Sequence, residues 1–99
     1  MTDSEKYGLG RKYKEIEIAE GTLYDFLKLI ESNYFAFDVF HKEAIAPLYW
    51  GFVYKDFNDV ENLLKKNDLI KIKNTDVWKV FKFYSLICKC YVYRIILED

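Results

Sequence analysis

Hydrophobic and polar residues alternate at residues 13–19, where Ile16 and Ile18 stand against Glu15 and Glu17. An alternation with period two is typical of a strand that buries one side and exposes the other. We therefore predict a first strand here, which Gly21 ends.

A helix is predicted directly after Gly21. Thr22 is a favourable N-cap, and Asp25 follows it at the spacing of a capping box. The following apolar residues recur at helical spacing: Leu23, Phe26, Leu27 and Ile30. Ser32 and Asn33 are the predicted end of this helix.

Residues 34–41 place Phe35, Phe37 and Val39 on one side of an extended chain. Their high β-propensity favours a strand, and a helix over 38–46 is the alternative. Pro47 then breaks the chain before a further predicted strand.

That strand covers residues 48–55 and contains Gly51. Inside a strand, glycine marks a bulge or a place where another backbone passes closely. A second helix is predicted from Asn58, with Glu61 at the capping-box position and an apolar stripe of Val60, Leu63 and Leu64. Residues 67–68 are its predicted end.

The last third of the chain is rich in β-branched and aromatic residues. Residues 69–73 and 77–84 are predicted to form a β-hairpin around the turn 74–76. We expect a bend near Ser85 and a final strand at 86–97. The alternative is a helix over part of this stretch, since four polar residues recur at helical spacing: Lys79, Lys82, Ser85 and Lys89.

The predicted order is β-α-β-β-α-β with one or two added strands, which resembles the split βαβ order of ferredoxin-like domains. We therefore predict an α+β fold with an antiparallel sheet of about five strands and two helices packed on one face. Residues 1–10 are predicted to be a flexible arm, and residues 11–99 a single domain.

Composition excludes some classes of protein. The net charge of −1 excludes a globally basic nucleic-acid binder, and we identify neither a membrane span nor a signal peptide. The chain has 13 Lys against 2 Arg and no Gln, a bias typical of hyperthermophiles. An AT-rich genome is the alternative cause of the same bias. This composition, together with a very aromatic core, leads us to expect a thermostable protein.

Charge is unevenly spread along the chain. Residues 1–68 carry 9 Lys and Arg against 13 Asp and Glu, while residues 69–99 carry 6 against 3. Lysines alternate with aromatic residues in the basic segment 71–94, as on sheets that hold single-stranded nucleic acid. If Ile70, Ile72, Phe81 and Phe83 face inward, one outer face carries the candidate binding residues Lys71, Lys73, Trp78, Lys82 and Tyr84. The alternative is an aromatic core edged by lysines.

The final strand is apolar on both sides for much of its length, so it needs cover on each side. A second copy of the chain would supply that cover. We therefore predict a homodimer with interface residues Tyr91, Tyr93 and Ile95.

No motif in the chain names a reaction. His41 is the single histidine, and a pair with Asp38 is the best enzymatic hypothesis. Acidic residues at 15–20 and 56–59 suggest a metal-dependent nuclease, but a solvated strand face and a helix start explain them as well. Cys88 and Cys90 are expected to be buried together on one face of a strand, with an intermolecular disulfide as the alternative. We predict no enzyme, cofactor or metal.

The whole chain resembles small proteins of the filamentous and rod-shaped viruses that infect hyperthermophilic archaea. The resemblance lies in size, in the absence of Gln, and in runs such as EGTLYDFLKLIESNYF and VWKVFKFYSLICKCYVYRIILED. It implies a viral protein in the cytoplasm of the infected host cell.

These observations favour a non-enzymatic module that binds a host or viral protein. Single-stranded nucleic-acid binding through residues 71–94 is the first alternative. Inhibition of host CRISPR defence, known for some small proteins of these viruses, is the second.

Overall fold

The computed structural model describes residues 14–30, 34–43, 47–51 and 57–98. Five strands and two helices follow one another in the described chain. They are β1 (Lys14–Ile16), α1 (Leu23–Lys28), β2 (Phe35–His41), β3 (Pro47–Trp50), α2 (Phe57–Lys66), β4 (Val77–Ser85) and β5 (Cys90–Leu97). Two short 3-10 turns, Leu69–Lys71 and Asn74–Asp76, connect α2 to β4. The predicted α+β class is confirmed, whereas the predicted arm 1–10 lies outside the described residues.

The strands form one sheet in the order β1-β4-β5-β2-β3. Three of its four pairings are antiparallel, as predicted, while β2 and β5 run parallel, so the sheet is mixed but mostly antiparallel. It follows from these pairings that β1 is parallel to β2, with β4 and β5 between them. The unit β1-α1-β2 is therefore a split βαβ unit, as the predicted element order suggested.

Both helices lie on one face of the sheet, which we call the helix face. Alternate residues of β2 point into it, and the predicted set of Phe35, Phe37 and Val39 is buried there. Leu27 of α1 and Leu64 of α2 pack against them and are fully buried. The main core thus lies between the helices and the sheet.

The other face of the sheet, which we call the second face, carries the remaining alternate residues. Phe40, Phe81 and Ile96 form one buried cluster there, and Ala36, Cys90 and Val92 form another. A strand buried on both faces reads as a continuous apolar run. This explains why β2 and β5, which are adjacent in the sheet, are largely apolar on both sides.

The predicted capping box of α1 is confirmed. The Asp25 amide donates to Thr22 Oγ1 at 3.3 Å, and the Thr22 amide donates to Asp25 Oδ2 at 3.1 Å. The helix stops at Lys28, and the predicted end at Ser32 and Asn33 lies outside the described residues.

The second helix begins one residue before the predicted Asn58. The Glu61 carboxylate accepts a hydrogen bond from Lys65 one turn later at 3.0 Å.

The predicted hairpin between residues 69–73 and 77–84 is wrong. Residues 69–71 form a 3-10 turn, entered through Asp68 with a left-handed φ of 57°. The chain after that turn bonds to the start of α1, where the Leu23 amide donates to Ile72 O at 2.7 Å. β4 instead forms its hairpin with β5, around a turn at residues 86–89 where the final strand was expected to begin.

The helical alternatives over 38–46 and 79–90 are also wrong across their described residues, because β2 reaches His41 and β4 reaches Ser85. Gly51 follows β3, and a Cβ added there would overlap the carbonyl oxygen of Phe37. The predicted close backbone approach at this glycine is confirmed. Residues 52–55 of the predicted strand lie outside the described residues.

Candidate functional site

A buried ion pair occupies the middle of the second face. Asp38 on β2 and Arg94 on β5 are direct register partners in the parallel pairing, so their side chains rise from the sheet side by side. Arg94 Nε donates to Asp38 Oδ1 at 2.9 Å, and Arg94 Nη2 donates to Oδ2 at 2.8 Å. Only 5% of the Asp38 side chain and 11% of the Arg94 side chain are exposed. This two-point contact fixes the orientation of both groups.

Two aromatic rings hold the guanidinium group in place. The centroids of Phe40 and Phe83 lie 4.9 Å and 5.1 Å from Arg94 Cζ. Aromatic rings attract a guanidinium through their electron-rich faces, most strongly where water is excluded. Arg94 therefore contacts the Asp38 carboxylate and both rings.

Burial raises the pKa of Asp38, while the hydrogen bonds and the positive charge of Arg94 act in the opposite direction. The two charges cancel, so this part of the second face is close to neutral. A neutral surface does not select strongly for a charged ligand.

A cleft of about 330 Å³ opens over this pair. Phe83 and Ile87 line it on the β4 side, Trp50 lines it on the β3 side, and the ion pair lies between them. Its volume is at the lower end of the range for small-molecule sites, and its walls are mainly apolar. We call this cavity the cleft.

The turn between β4 and β5 forms the rim of the cleft. Leu86 is 84% exposed and Ile87 is 95% exposed, and Trp50 across the cleft is 62% exposed. The Lys89 amide donates to Ser85 O at 2.8 Å, and the Cys88 amide donates to Ser85 Oγ at 3.2 Å. The turn therefore presents two aliphatic side chains on an ordered backbone. We call Leu86 and Ile87 the tip. The tip, Trp50 and the cleft together form what we call the turn surface.

The five predicted nucleic-acid residues do not share one face. Lys82 and Tyr84 lie on the helix face, in register with Tyr93 and Tyr91 of β5. Trp78 packs against the buried cluster of the second face.

The other two predicted residues lie outside the named strands. Lys71 belongs to a 3-10 turn, and Lys73 forms an isolated bridge with Thr22. The predicted shared face is absent because residues 69–73 do not form a strand on which Lys71 and Lys73 would alternate with Ile70 and Ile72.

The three predicted interface residues differ in how exposed they are. Tyr93 and Ile95 are 6% and 0% exposed, because β5 lies in the middle of the sheet and the helices cover this side of it. A second copy is not needed to bury them, so the prediction that they form an interface is wrong. Tyr91 is 44% exposed and remains accessible.

The other candidate residues are separated by the sheet. Asp38 and His41 point to opposite faces, and the Asp38 carboxylate binds Arg94, so the predicted pair does not form. Cys88 is exposed on the turn whereas Cys90 is buried, and neither forms a disulfide. Burial raises the pKa of the Cys90 thiol, and electrostatic repulsion from Cys88 raises this pKa further.

Glu15 of the proposed acidic site lies 3.8 Å from the Lys79 ammonium. Among the described residues, no three histidine, cysteine or acidic side chains are grouped as metal ligands would be. Nor does any helix in the described ranges have the length and hydrophobicity needed to cross a membrane.

The pairing of Asp38 with Arg94 was not predicted, although the sequence carries a signal for it. Asp38 is the one charged residue in the apolar run 34–40, and Arg94 is the one charged residue in the run 90–97. Opposite charges isolated in two buried strands are expected to meet, because an unpaired charge in the core is costly.

Comparisons with protein-family models, with curated proteins and with solved structures found no match. The proposed function therefore rests on the fold and on the turn surface.

Proposed function

We propose that the protein is a non-enzymatic interaction module that binds another protein, of host or viral origin, through the turn surface. The observation that supports this is the exposure of Leu86 and Ile87, 84% and 95%, beside an exposed Trp50. Contiguous apolar groups at a surface mark interaction sites more often than chance, and tryptophan is enriched among the residues that dominate binding energy.

The backbone of the turn supports the same proposal. Its hydrogen bonds to Ser85 and the adjoining strands order the backbone that carries the tip before any partner arrives. A surface that is already ordered loses less conformational entropy on binding.

Affinity capture with matched variants tests the proposal. Tagged wild type, Ile87→Lys and Leu29→Lys serve as baits in infected cells, with bound proteins read by mass spectrometry and nucleic acids by sequencing. Leu29 is the control because it is 62% exposed but lies on the helix face. A partner recovered by wild type and Leu29→Lys and lost with Ile87→Lys is the expected result. Recovery that is equal for all three baits would exclude the turn surface.

Single-stranded nucleic-acid binding remains a second candidate, on a smaller surface than the sequence suggested. The Lys82 ammonium lies 4.4 Å from the ring centroid of Tyr91, and Tyr84 contacts Tyr91 edge to face. Lys14 of β1 is the register partner of Lys82. Two lysines beside two exposed tyrosine rings offer phosphate contacts and base stacking together.

A salt titration separates this candidate from a protein-binding role. Each lost phosphate contact lowers the slope of log K against log salt by about 0.7 for single strands. If the surface binds an oligonucleotide, Lys82→Gln reduces the slope and Tyr91→Ala weakens binding with little change of slope. Lys66→Gln, at the exposed end of α2, is the control. Binding with no salt dependence would argue against this candidate.

The resemblance to proteins of archaeal viruses supports two further parts of the proposal. The protein is expected to act in the cytoplasm of an infected host cell. Inhibition of CRISPR defence is one role that a protein partner at the turn surface would allow, and the same capture experiment would recover a CRISPR component.

A further inference from the structure

We propose that the protein bound by the turn surface is a second copy of this chain, with the tip of each copy seated in the cleft of the other. The inference rests on the proposed function, because it names the partner at the same surface.

The chemistry of the tip and the cleft favours a second copy. The tip consists of two aliphatic side chains, and the cleft has apolar walls over an ion pair whose charges cancel. A phosphate or a carboxylate would find no net positive charge at that floor. A neutral aliphatic side chain fits it without leaving a charge unpaired.

The position of the tip beside the cleft also favours a second copy. Ile87 lies at the rim of the cleft of its own chain, so the tip and the cleft belong to one patch. A two-fold axis beside the turn therefore brings each tip to the cleft of the other copy, and the pair closes with both tips covered.

The size of the patch fits a weak dimer. Leu86, Ile87 and Trp50 together expose on the order of 500 Å² per copy. A standard interface buries about 800 Å² per partner. We therefore expect a reversible dimer that dissociates on dilution.

Sedimentation velocity over a dilution series, with reductant present, tests the proposal. Reductant is needed because a disulfide between two exposed Cys88 thiols would give a dimer for another reason. We expect Ile87→Lys to weaken the dimer at least about tenfold, as loss of a central anchor does. Trp50→Glu should weaken it as well, and Leu29→Lys should leave it unchanged. Circular dichroism melting of each variant confirms that it is folded.

A mixing experiment tests whether the contact is reciprocal. In a heterodimer of Ile87→Lys with Trp50→Glu, the unaltered tip of one copy meets a cleft that keeps Trp50, and the new lysine of the other copy meets the new glutamate. We expect the mixture to dimerise more strongly than either variant does alone. An interface in which Ile87 and Trp50 do not face each other would give no such rescue.

Cys88 supplies an independent readout, since it lines the cleft and is exposed in the single chain. Its alkylation rate should fall as the concentration of wild type rises, and should stay constant for Ile87→Lys. Buried Cys90 provides the unreactive internal reference.

Three outcomes would overturn the proposal: a wild type that is monomeric at every concentration, a dimer that Ile87→Lys leaves unchanged, or a failure of rescue on mixing. If the protein is monomeric but captures a different protein in an Ile87-dependent way, the proposed dimer is excluded and the proposed function stands. A monomer with no Ile87-dependent partner would overturn both.

Discussion

At the scale of single residues, the pair of Asp38 and Arg94 has the largest consequences for stability. Each group is buried, so each depends on the other for its charge to be tolerated. Asp38→Asn leaves the guanidinium without its counter-charge, and we expect a loss of about 3–5 kcal/mol in the free energy of unfolding. Guanidinium chloride titration measures this loss.

The double variant Asp38→Leu with Arg94→Met is the matched control for that prediction. It removes both charges at once, and apolar replacement of a buried pair is typically neutral or stabilising by about 1–4 kcal/mol. We expect it to be at least as stable as wild type. A double variant as unstable as Asp38→Asn would show that the pair itself, and not the avoidance of an unpaired charge, stabilises the fold.

Gly51 is the second residue for which the structure gives a definite expectation. A Cβ at this position would overlap the backbone oxygen of Phe37, and a backbone atom yields less easily than a side chain. We expect Gly51→Ala to destabilise the protein by about 1–3 kcal/mol, the usual cost of overpacking. Thermal melting followed by circular dichroism measures this, and an unchanged melting temperature would contradict the close approach.

At the scale of elements, local signals predicted what local interactions determine. The Thr22 cap and the alternation of Phe35, Phe37 and Val39 are present in the sequence and in the structure, because each depends on residues a few positions apart. The alternation at residues 69–73 was misleading, since five residues fit a 3-10 turn as well as a strand. The turn at 86–89 lacks glycine and asparagine and uses Lys89 with φ of 57°, so only Ser85, near which a bend was expected, marked it in the sequence.

The α1 capping box provides the prediction at this scale. Thr22→Ala removes the side-chain acceptor for the Asp25 amide, and we expect a loss of about 1 kcal/mol in the free energy of unfolding. Thr75→Ala, at an exposed position in a 3-10 turn, should change it by less than about 0.5 kcal/mol. Chemical denaturation of both variants makes the comparison. Equal effects would mean that the cap does not stabilise α1.

At the scale of the whole molecule, the order of elements was predictable but the order of strands in the sheet was not. The parallel pairing of β2 with β5 joins residues 56 positions apart, such as Asp38 and Arg94, and no local pattern encodes it. The turn surface was missed for the same reason, because it combines the end of β3 with the β4–β5 turn. The cleft exists only once these distant segments are neighbours.

Heat stability is the first prediction for the whole molecule. The Lys-rich, Gln-free composition and a core with many aromatic side chains lead us to expect a melting temperature above about 90 °C at neutral pH. Circular dichroism during heating, with reductant present, tests it. A cooperative loss of structure below about 70 °C would contradict a hyperthermophilic origin.

Acid distinguishes a fold held by its core from one held by carboxylate ion pairs. Hydrogen bonds from Thr22 lower the pKa of Asp25, and the Lys65 hydrogen bond lowers the pKa of Glu61, so both contribute stability that is lost as pH falls below their ordinary values of 3.8 and 4.5. Burial raises the pKa of Asp38, so the folded chain binds that proton more tightly than the unfolded chain does. Its protonation therefore adds stability as pH falls.

Exposed pairs such as Glu61 with Lys65 contribute little to stability, and the apolar core does not titrate. We therefore expect the fold to persist near pH 2 with a lowered melting temperature. Retention of structure at pH 7 with its collapse at pH 2, measured by the same melting experiment, would show that ion pairs rather than the core are decisive.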